Sequence, residues 1–359
     1  MKKIYYITAV FATLFLVGCG DGIDLPGVNV ETDLNKIPLP DNNVNLEQVE
    51  LKPSTEPMLH EGLHTEEDFQ RIRDKKAAGE EPWVSAYQLL VESQFSQKTA
   101  DTYPTEWIKR GISGDENYMN AARGATIVYQ QALRWKIEQD DEYAAKAVEN
   151  LNKWVQTCVG VTGNTNLSLA AGLYGYEFAI AGELLRDYEG WDRADFAAFQ
   201  NWLLKVFYPA NDDFLKRHHD TNPLHYWANW CLCNIAAKMA IGIVTDRRDI
   251  YNEGIDHLQT GDTNGRLRRA IYHDYAPDYN FAQWQESGRD QGHTLMCVGL
   301  MGIICQLAWS QGDDFFAYDD NLFMRACEYA ACCNYTNETV PYTTYIWQKQ
   351  SQWGYPIPE

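Results

Sequence analysis

The residues best suited to chemistry in this chain lie within one short stretch, Gln283–His293. It combines two acids, an arginine, a histidine, several amides and a tryptophan. A helix that starts near Glu286 would place Glu286, Arg289 and His293 on one face, because residues three and four positions apart are neighbours on a helix. The residues that follow are mostly apolar and fit a core helix. The pattern therefore predicts a polar cleft at the mouth of a buried helix.

The same stretch, read as QWQESGRDQGHT, resembles a signature of the alginate-lyase superfamily of polysaccharide lyases, in the branch common among Gram-negative lipoproteins. Weaker similarities follow one another in the family's order: Gly163–Asn166 with Leu169–Tyr176, Trp227–Ile243, Tyr251–Glu253 and Gly261–Gly265. The resemblance spans roughly residues 59–340, and the tract around His225 and Tyr279 matches less closely. It implies an (α/α) toroid that cleaves uronic-acid polymers by β-elimination. Family members usually continue through further helices, so the expected fold is a toroid or an incomplete barrel of stacked helical hairpins.

β-Elimination on a uronate sets clear demands on a site. Removal of the C5 proton builds charge on the neighbouring carboxylate, which hydrogen bonds or positive charge must stabilise. A base takes the C5 proton, and an acid protonates the departing O4. Side chains can neutralise the carboxylate, so the expected reaction needs neither a metal nor another cofactor.

His225 is the first candidate for the base or for a partner of the carboxylate. Asn222 is a good N-cap and Pro223 a good first helical residue, so His225 and Asn229 would share a face in the first two turns. A helix N-terminus favours anions and keeps a nearby histidine neutral. The alternative is a histidine of the capping region that bonds the backbone.

Tyrosine is the usual acid in the family that the chain resembles, and Tyr279 lies nearest to the signature, after Tyr272 and Tyr275. Arg289 would bind a substrate carboxylate or lower the pKa of the tyrosine. Its alternative is an ion pair with Glu286 or Asp290. Each tyrosine has an ordinary packing role as its alternative.

The predicted substrate-binding residues are Asn166, Asn222, Trp284, Glu286 and His293. Asn166, with Asn164, would supply an amide to the carboxylate, and its alternative is the N-cap of a helix that starts at Leu167. Trp284 is a candidate sugar platform or a core tryptophan. His293 is a second base or a residue that supports the others.

Two other functions remain open at this point. A glycoside hydrolase on an (α/α) barrel would need two carboxylates across the cleft, such as Glu286 with Asp220 or Asp290. A non-catalytic glycan-binding lipoprotein would not need the Glu286–Arg289–His293 cluster. An unsaturated product separates the lyase from both.

Helical periodicity runs through nearly the whole chain and predicts an all-α fold of stacked helical hairpins. No run of alternating residues predicts a strand. The predicted helices are about 65–78, 82–94, 116–138, 142–159, 167–187, 193–207, 223–244, 248–258, 265–271, 286–311 and 321–334.

The first 19 residues have the pattern of a lipoprotein signal peptide, with Lys2 and Lys3, an apolar run and a lipobox-like end at Cys19. We expect Cys19 to carry the lipid, residues 20–57 to form a tether and residues 58–359 to form the lyase domain. The protein would then be exported and held at the outer membrane, in the periplasm or on the cell surface.

The formal net charge is −20 and the chain has no dominant basic face, which argues against nucleic acid as a partner. Local positive charge can still attract a polyanionic polysaccharide. Three clusters qualify: Lys216–His219, Arg247–Arg248 and Arg266–Arg269. Beside Cys19, the chain has eight cysteines, mostly in apolar helical tracts, and we predict buried free thiols. Cys231 with Cys233, and Cys332 with Cys333, lack the spacing of a zinc site.

Overall fold

The computed structural model describes residues 54–288, 290–335 and 340–343. Its helices are α1 Glu66–Ala77, α2 Trp83–Glu92, α3 Tyr118–Glu138, α4 Asp141–Thr157, α5 Leu167–Leu185, α6 Arg193–Val206, α7 Tyr208–Arg217, α8 Ala228–Val244, α9 Arg248–Thr260, α10 Leu267–Ala270, α11 Gln291–Ser310 and α12 Tyr318–Tyr335. Its strands are β1 Trp107–Arg110, β2 Gly160–Gly163, β3 Ile271–Asp274 and β4 Ala282–Trp284.

Helices α5 and α8 form the centre of the molecule and are buried on nearly every side. Both sequences are apolar all round, which is the pattern of a core helix rather than of a surface helix. Their axes come close because α5 has a glycine at the contact: a Cβ on Gly172 would lie 2.5 Å from the Cys233 sulfur.

The helices pack in two layers. The inner row runs α3, α5, α8 and α11, each helix in contact with the next. The outer row covers it, with α4 on α3, α7 and α9 on α8, and α12 against α11 and β4. This arrangement is an (α/α) toroid-like fold and confirms the predicted fold class. Helix α11 is long and apolar enough to cross a membrane by length and composition, but it packs in this core.

Two short strand pairs were not predicted. Strands β1 and β2 pair in parallel, with Trp107 opposite Gly160 and Arg110 opposite Gly163. Strands β3 and β4 form an antiparallel pair. Each strand has only three or four residues, too few to show a period of two in the sequence.

Several helix boundaries differ from the prediction. Helix α8 begins at Ala228 instead of residue 223, and α11 begins at Gln291 instead of Glu286. Helix α7 was missed: the predicted helix ended at residue 207, and no helix was predicted between there and residue 223. Predicted helix 265–271 is a four-residue helix that continues into β3.

The last residues of the predicted tether belong to the folded body. The carbonyl of Ser54 accepts a bond from the Asn252 amide, and the carbonyls of Glu56 and Pro57 accept bonds from the Arg248 guanidinium. Further along, Thr65 and Asp68 form a capping box at the start of α1. Cys19 and residues 20–53 lie outside the described residues.

The sequence predicts buried free thiols for the eight cysteines that follow Cys19, and three of them, Cys327, Cys332 and Cys333, are only partly buried. None of the eight forms a disulfide within the described chain, and five of them are buried. Burial also raises the pKa of Cys158 to about 11, so this thiol is protonated and unreactive at neutral pH.

Candidate active site

The N-terminal ends of α5, α8 and α11 meet at one end of the toroid. The Ser168 hydroxyl at the start of α5 lies 3.0 Å from Nε2 of His219, in the segment that leads into α8. The Gln285 side chain, just before α11, accepts a bond of 3.1 Å from the backbone N–H of Ala228, the first residue of α8. The parallel β1–β2 pair brings the chain before α3 to the same end. Helix N-termini favour negative charge, so this end suits an anionic ligand in a protein of net charge −20.

A loop of residues 218–227, called the α7–α8 loop below, replaces the predicted first turns of α8. The Asn222 side chain accepts a bond from the N–H of Leu224, and the N–H of His225 donates to the Asn222 carbonyl. These bonds form a tight turn, and the Asn264 amide fixes it by donating to the carbonyls of Leu224 and Tyr226. The interpretation of Asn222 as a helix cap with His225 in the first helical turn is therefore wrong.

The α7–α8 loop nevertheless holds His225 at the start of α8. The His225 ring lies edge-on to Tyr226, with 4.7 Å between ring centroids. The Tyr226 side chain bonds Thr165 beside α5, and the His219 ring bonds both the backbone of Thr165 and the Ser168 hydroxyl. His219 thus fastens the loop to α5 and fixes the position of His225 and Tyr226.

Burial shifts the pKa of both anchoring residues, Tyr226 and His219. It raises the pKa of Tyr226, with a smaller opposing effect from the bond to Thr165, so the phenol stays protonated at neutral pH. Burial also lowers the pKa of His219, which keeps that imidazole neutral. A protonated phenol is the form that a proton donor requires.

Most of the signature stretch is structural. Gln283, Trp284, Gln285, Glu286 and Ser287 are all buried. Trp284 donates to the Ala326 carbonyl and packs against Phe323, which excludes it as a sugar platform and makes it the core tryptophan of the alternative.

The glutamines of the signature join distant segments. The Gln285 amide donates to the Arg269 carbonyl while its oxygen binds the start of α8. The Gln283 side chain accepts bonds from the Tyr275 hydroxyl and the Thr343 N–H, and donates to the Thr343 carbonyl. Tyr275 is therefore a packing tyrosine.

The signature is only half-buried at Asp290, the N-cap of α11. One Asp290 oxygen accepts from the N–H of His293, and the other lies 2.6 Å from Nδ1 of the same residue. A carboxylate only accepts, so Nδ1 carries a proton; in the neutral ring Nε2 is then the nitrogen that can accept. Glu286 Oε1 is 3.6 Å from the same Nδ1. A base held by an orienting carboxylate is a common catalytic arrangement.

Glu286 and His293 thus come together through a turn rather than along a helix face. Glu286 and Gly288 both have left-handed backbone conformations, with φ of 65° and 79°. A helix cannot run through such residues, which is why α11 starts later than predicted. Arg289, the third member of the predicted face, lies outside the described residues.

Asn166 stands at the N-cap position of α5 but does not cap it with its side chain. Instead its amide donates to the Asn164 side chain at 2.9 Å. Behind this pair, the buried Arg110 guanidinium lies 4.7 Å from the ring centroid of Tyr118 and 3.5 Å from the Tyr174 hydroxyl. Arg110 brings a positive charge to the start of α5.

Tyr279 lies in the loop of the β3–β4 hairpin and is 53% exposed. The hairpin extends away from Trp284, and within the described chain no contact joins Tyr279 to His225. Tyr272 is half-buried, and burial raises its pKa. The tyrosine beside His225 is instead Tyr226, which the sequence analysis did not single out, although it is the next residue. Arg110 was missed because β1 was not recognised.

Comparison with known proteins agrees with this geometry. The sequence profile of the alginate lyase family matches residues 73–338. The chain belongs to the alginate lyase family. As a member it is a polysaccharide lyase that acts on alginate-like polymers. A search among curated proteins found no match.

Solved alginate lyases share the fold. An alginate lyase from Bacteroides ovatus is 14% identical and aligns over 83% of this chain and 87% of its own, with a TM-score of 0.54. Alginate lyase A1-III from Sphingomonas species A1 is 13% identical over 77% and 80%, with a TM-score of 0.54. A histidine-to-alanine variant of A1-III complexed with a tetrasaccharide is 13% identical over 79% and 82%, with a TM-score of 0.60.

Among the residues that the structure describes, no group of three or more His, Cys, Asp or Glu side chains is arranged to hold a metal ion.

Proposed function

We propose that the protein cleaves β-1,4-linked uronic acid polymers, alginate or glucuronan, by β-elimination and leaves 4,5-unsaturated uronate ends. The observation that supports this proposal is that the starts of α5 and α8 lie together at one end of the toroid, joined through Ser168 and His219, with His225 and Tyr226 in the same loop. His293 stands in the first turn of α11, which packs against α8. Such an end stabilises the charge that develops on a uronate carboxylate. The same three side chains are suited to proton transfer.

The substrate carboxylate is assigned to the starts of α5 and α8. Asn166 and Asn222 are the amides there, and His225 lies between the Asn222 turn and Tyr226. Arg110 adds a positive charge behind Asn166, from the adjoining strand. Arg289 remains a proposed carboxylate ligand on the strength of the signature alone.

The proton transfers are assigned to His293 and Tyr226. The C5 proton passes to Nε2 of His293, because Asp290 fixes the proton of the ring on Nδ1. The electron pair of the C5–H bond forms the C4=C5 double bond as the C4–O4 bond breaks. Tyr226 then gives its proton to O4. Tyr279 takes this last role if the polymer approaches along the hairpin.

Exposed aromatic residues near β1 offer a sugar platform in place of Trp284. Trp107 is 43% exposed and its ring lies against Gly160 on the neighbouring strand. Tyr103 and Val159 are exposed close by in the chain. Strand β1 rises about 3.3 Å per residue, so Trp107 lies about 10 Å before Arg110, a distance that a polymer bound at the cleft would span.

The test is turnover of a panel of uronans, with mannuronate, guluronate and glucuronate blocks, followed by ultraviolet absorbance of the unsaturated product. Absorbance with at least one polymer is the expected result. New reducing ends without that absorbance would indicate hydrolysis, and binding without any cleavage would indicate a glycan-binding protein.

The lipid anchor is a separate proposal. The lipobox-like end at Cys19 supports a lipoprotein at the outer membrane. Labelling of the protein with a radioactive fatty acid in a Gram-negative host, compared with Cys19→Ser, tests it. Equal labelling of both proteins, or none of either, would contradict the anchor.

A further inference from the structure

A pocket lies between the first turns of α3 and the loop that follows α2. Its volume is about 420 Å³, and Gln94, Phe95, Met119 and Arg123 line it. Pockets for small ligands begin at about 300 Å³, so this one, called the α3 pocket below, is large enough for a sugar unit. Neither the proton transfers nor the sugar platform assigned above uses any of these four residues.

The α3 pocket is at the same end of the molecule as the cleft. Met119 and Arg123 are one turn apart at the start of α3, and Tyr118 directly precedes Met119. The Tyr118 ring contacts the Arg110 guanidinium, which brings positive charge to the start of α5. A helix rises about 1.5 Å per residue, so Arg123 lies about 8 Å along α3 from Tyr118. The pocket is therefore within reach of a polymer whose carboxylate lies at the start of α5.

The loop that forms one wall of the pocket is held in place by hydrogen bonds. The Ser93 hydroxyl donates to the Gln130 side chain on α3 at 2.5 Å. The Gln131 amide donates to the carbonyls of Gln97 and Ala100, at 2.8 and 3.1 Å. These bonds lie on both sides of the loop residues that line the pocket. The pocket is therefore formed before a ligand arrives, and binding requires little ordering of the loop.

Arg123 brings a positive charge to the pocket. Its side chain is exposed, and no carboxylate in the described part of the chain pairs with it. The acids just before α3 have other partners, because Asp115 lies 2.7 Å from the Lys109 ammonium and Glu116 accepts a bond from the backbone N–H of Gly111.

The acid that precedes the loop also has a partner. Glu92 accepts a bond of 2.9 Å from the Gln88 amide. No acid is among the described residues that line the pocket. The exposed cations Lys216 and Arg217, by contrast, are each paired with a carboxylate. An arginine without such a pair keeps its N–H donors available for an anion.

The other residues of the lining indicate which anion fits. A guanidinium binds a carboxylate through two parallel N–H···O bonds. The half-buried Phe95 and Met119 offer apolar surface for the flat face of a pyranose. The exposed Gln94 amide offers a donor and an acceptor for hydroxyls. A uronate unit has all three of these groups, whereas phosphate or sulfate would use the arginine alone.

We propose that the α3 pocket binds a uronate unit of the polymer away from the cleaved bond, with Arg123 on its carboxylate and Phe95 against its sugar ring. The proposal rests on the proposed function and deepens it, because it adds a binding site to the cleft. The pocket holds the substrate without touching the reacting atoms, so it lowers KM and leaves kcat unchanged.

Two substitutions test the pocket. Arg123→Gln removes the charge. Gln94→Glu keeps the shape of the side chain and supplies a carboxylate that pairs with Arg123 and repels a uronate. Arg193→Gln is the matched control, because Arg193 is exposed and has no ion pair within the described chain. It follows the C-terminal end of α5, a helix about 27 Å long that separates it from the cleft. Substitutions at exposed positions have little effect on stability, so all three variants fold.

On the uronan that the wild type cleaves, Arg123→Gln and Gln94→Glu raise KM about tenfold at unchanged kcat, which corresponds to about 1.4 kcal/mol of binding free energy. Arg193→Gln keeps the wild-type value of both. A wild-type KM in Arg123→Gln or in Gln94→Glu would overturn the proposal. So would an equal rise of KM in Arg193→Gln, because that rise would reflect the net charge and not the pocket.

Binding gives a second measurement that does not depend on turnover. Hexamers of mannuronate, guluronate and glucuronate are titrated calorimetrically into His293→Ala, by itself and combined with Arg123→Gln or with Arg193→Gln. A dissociation constant that is about tenfold higher only in the combination with Arg123→Gln supports the pocket. Equal binding by the three proteins, or binding by none, refutes it. If the wild type forms no unsaturated product, the proposed function fails, and the titration still decides on the pocket.

Discussion

The pair of Asp290 and His293 gives the sharpest test of the assigned base. Asp290 does two things: one oxygen caps α11 through the N–H of His293, and the other accepts from Nδ1 of the ring. Asp290→Ala removes both interactions. Asp290→Asn keeps an oxygen for the cap but presents an N–H to Nδ1, which moves the ring proton to Nε2.

The two variants differ in stability and agree in activity. Loss of an N-cap costs about 1 kcal/mol of helix or protein stability, so Asp290→Ala lowers the free energy of unfolding by about that amount. Asparagine caps about as well as aspartate, so Asp290→Asn stays within about 0.5 kcal/mol of the wild type. The wrong tautomer cannot accept the C5 proton. In serine proteases the same change lowers kcat by about 10⁴, and we expect a loss of about 10² to 10⁴ here.

The assay combines urea unfolding, followed by circular dichroism, with initial rates of unsaturated-product formation. Asp290→Asn should fold like the wild type and turn over at least 10² times more slowly, by the reasoning from the tautomer. Two results together would refute the role of His293 as the base. Asp290→Asn would turn over as fast as the wild type, and Asp290→Ala would lose no more activity than its lower stability explains.

Three further predictions follow from burial and exposure. Trp284→Ala empties a fully buried site and lowers the free energy of unfolding by about 3–5 kcal/mol in urea titrations; a loss below about 1 kcal/mol would mean that Trp284 is not a core residue. Trp107→Ala raises KM for long uronans with little effect on stability. The control is Trp309→Ala: Trp309 is 54% exposed at the C-terminal end of α11, and its replacement leaves KM unchanged. Equal effects of the two variants on KM would refute the role of Trp107 as a sugar platform. Burial lowers the pKa of His64 and His257 to about 4, below the unfolded value of 6.5, so the unfolded chain binds more protons and stability falls as the pH drops from about 6.5 to 4. Stability that rises over that range in urea titrations would contradict the burial of these rings.

The helical architecture could be predicted because the spacing of hydrophobic residues along a helix is visible in the local sequence. Helix α5 was predicted at Leu167 and begins there. The start of α8 could not be predicted in the same way. Asn222 and Pro223 have the local pattern of a cap and first turn. The loop is instead bound by Asn264, which lies 40 residues after its partner Leu224. The first N–H of the helix is bound by Gln285, which lies 57 residues after Ala228. Such long-range bonds leave no mark on the local sequence.

The signature located the site but suggested the wrong roles within it. Its polar residues look like catalytic groups in sequence, yet Gln283 is buried by bonds to Thr343, 60 residues later. Whether a polar side chain faces solvent or an internal partner depends on such contacts. Only Asp290 and His293 could be recognised from the sequence as residues of the site, because they lie at the start of a helix. Tyr226 and Arg110 needed the structure, because an unpredicted loop and strand place them.

The central claim is that the cleft breaks the glycosidic bond without adding water. Mass spectrometry of the products from a defined uronate oligomer measures this directly. The predicted result is that the masses of the two fragments sum to the mass of the parent and that the fragment that keeps the parent's reducing end carries the unsaturated sugar at its new non-reducing end. His293→Ala forms no such fragment. Fragments whose masses exceed the parent by one water would contradict the account.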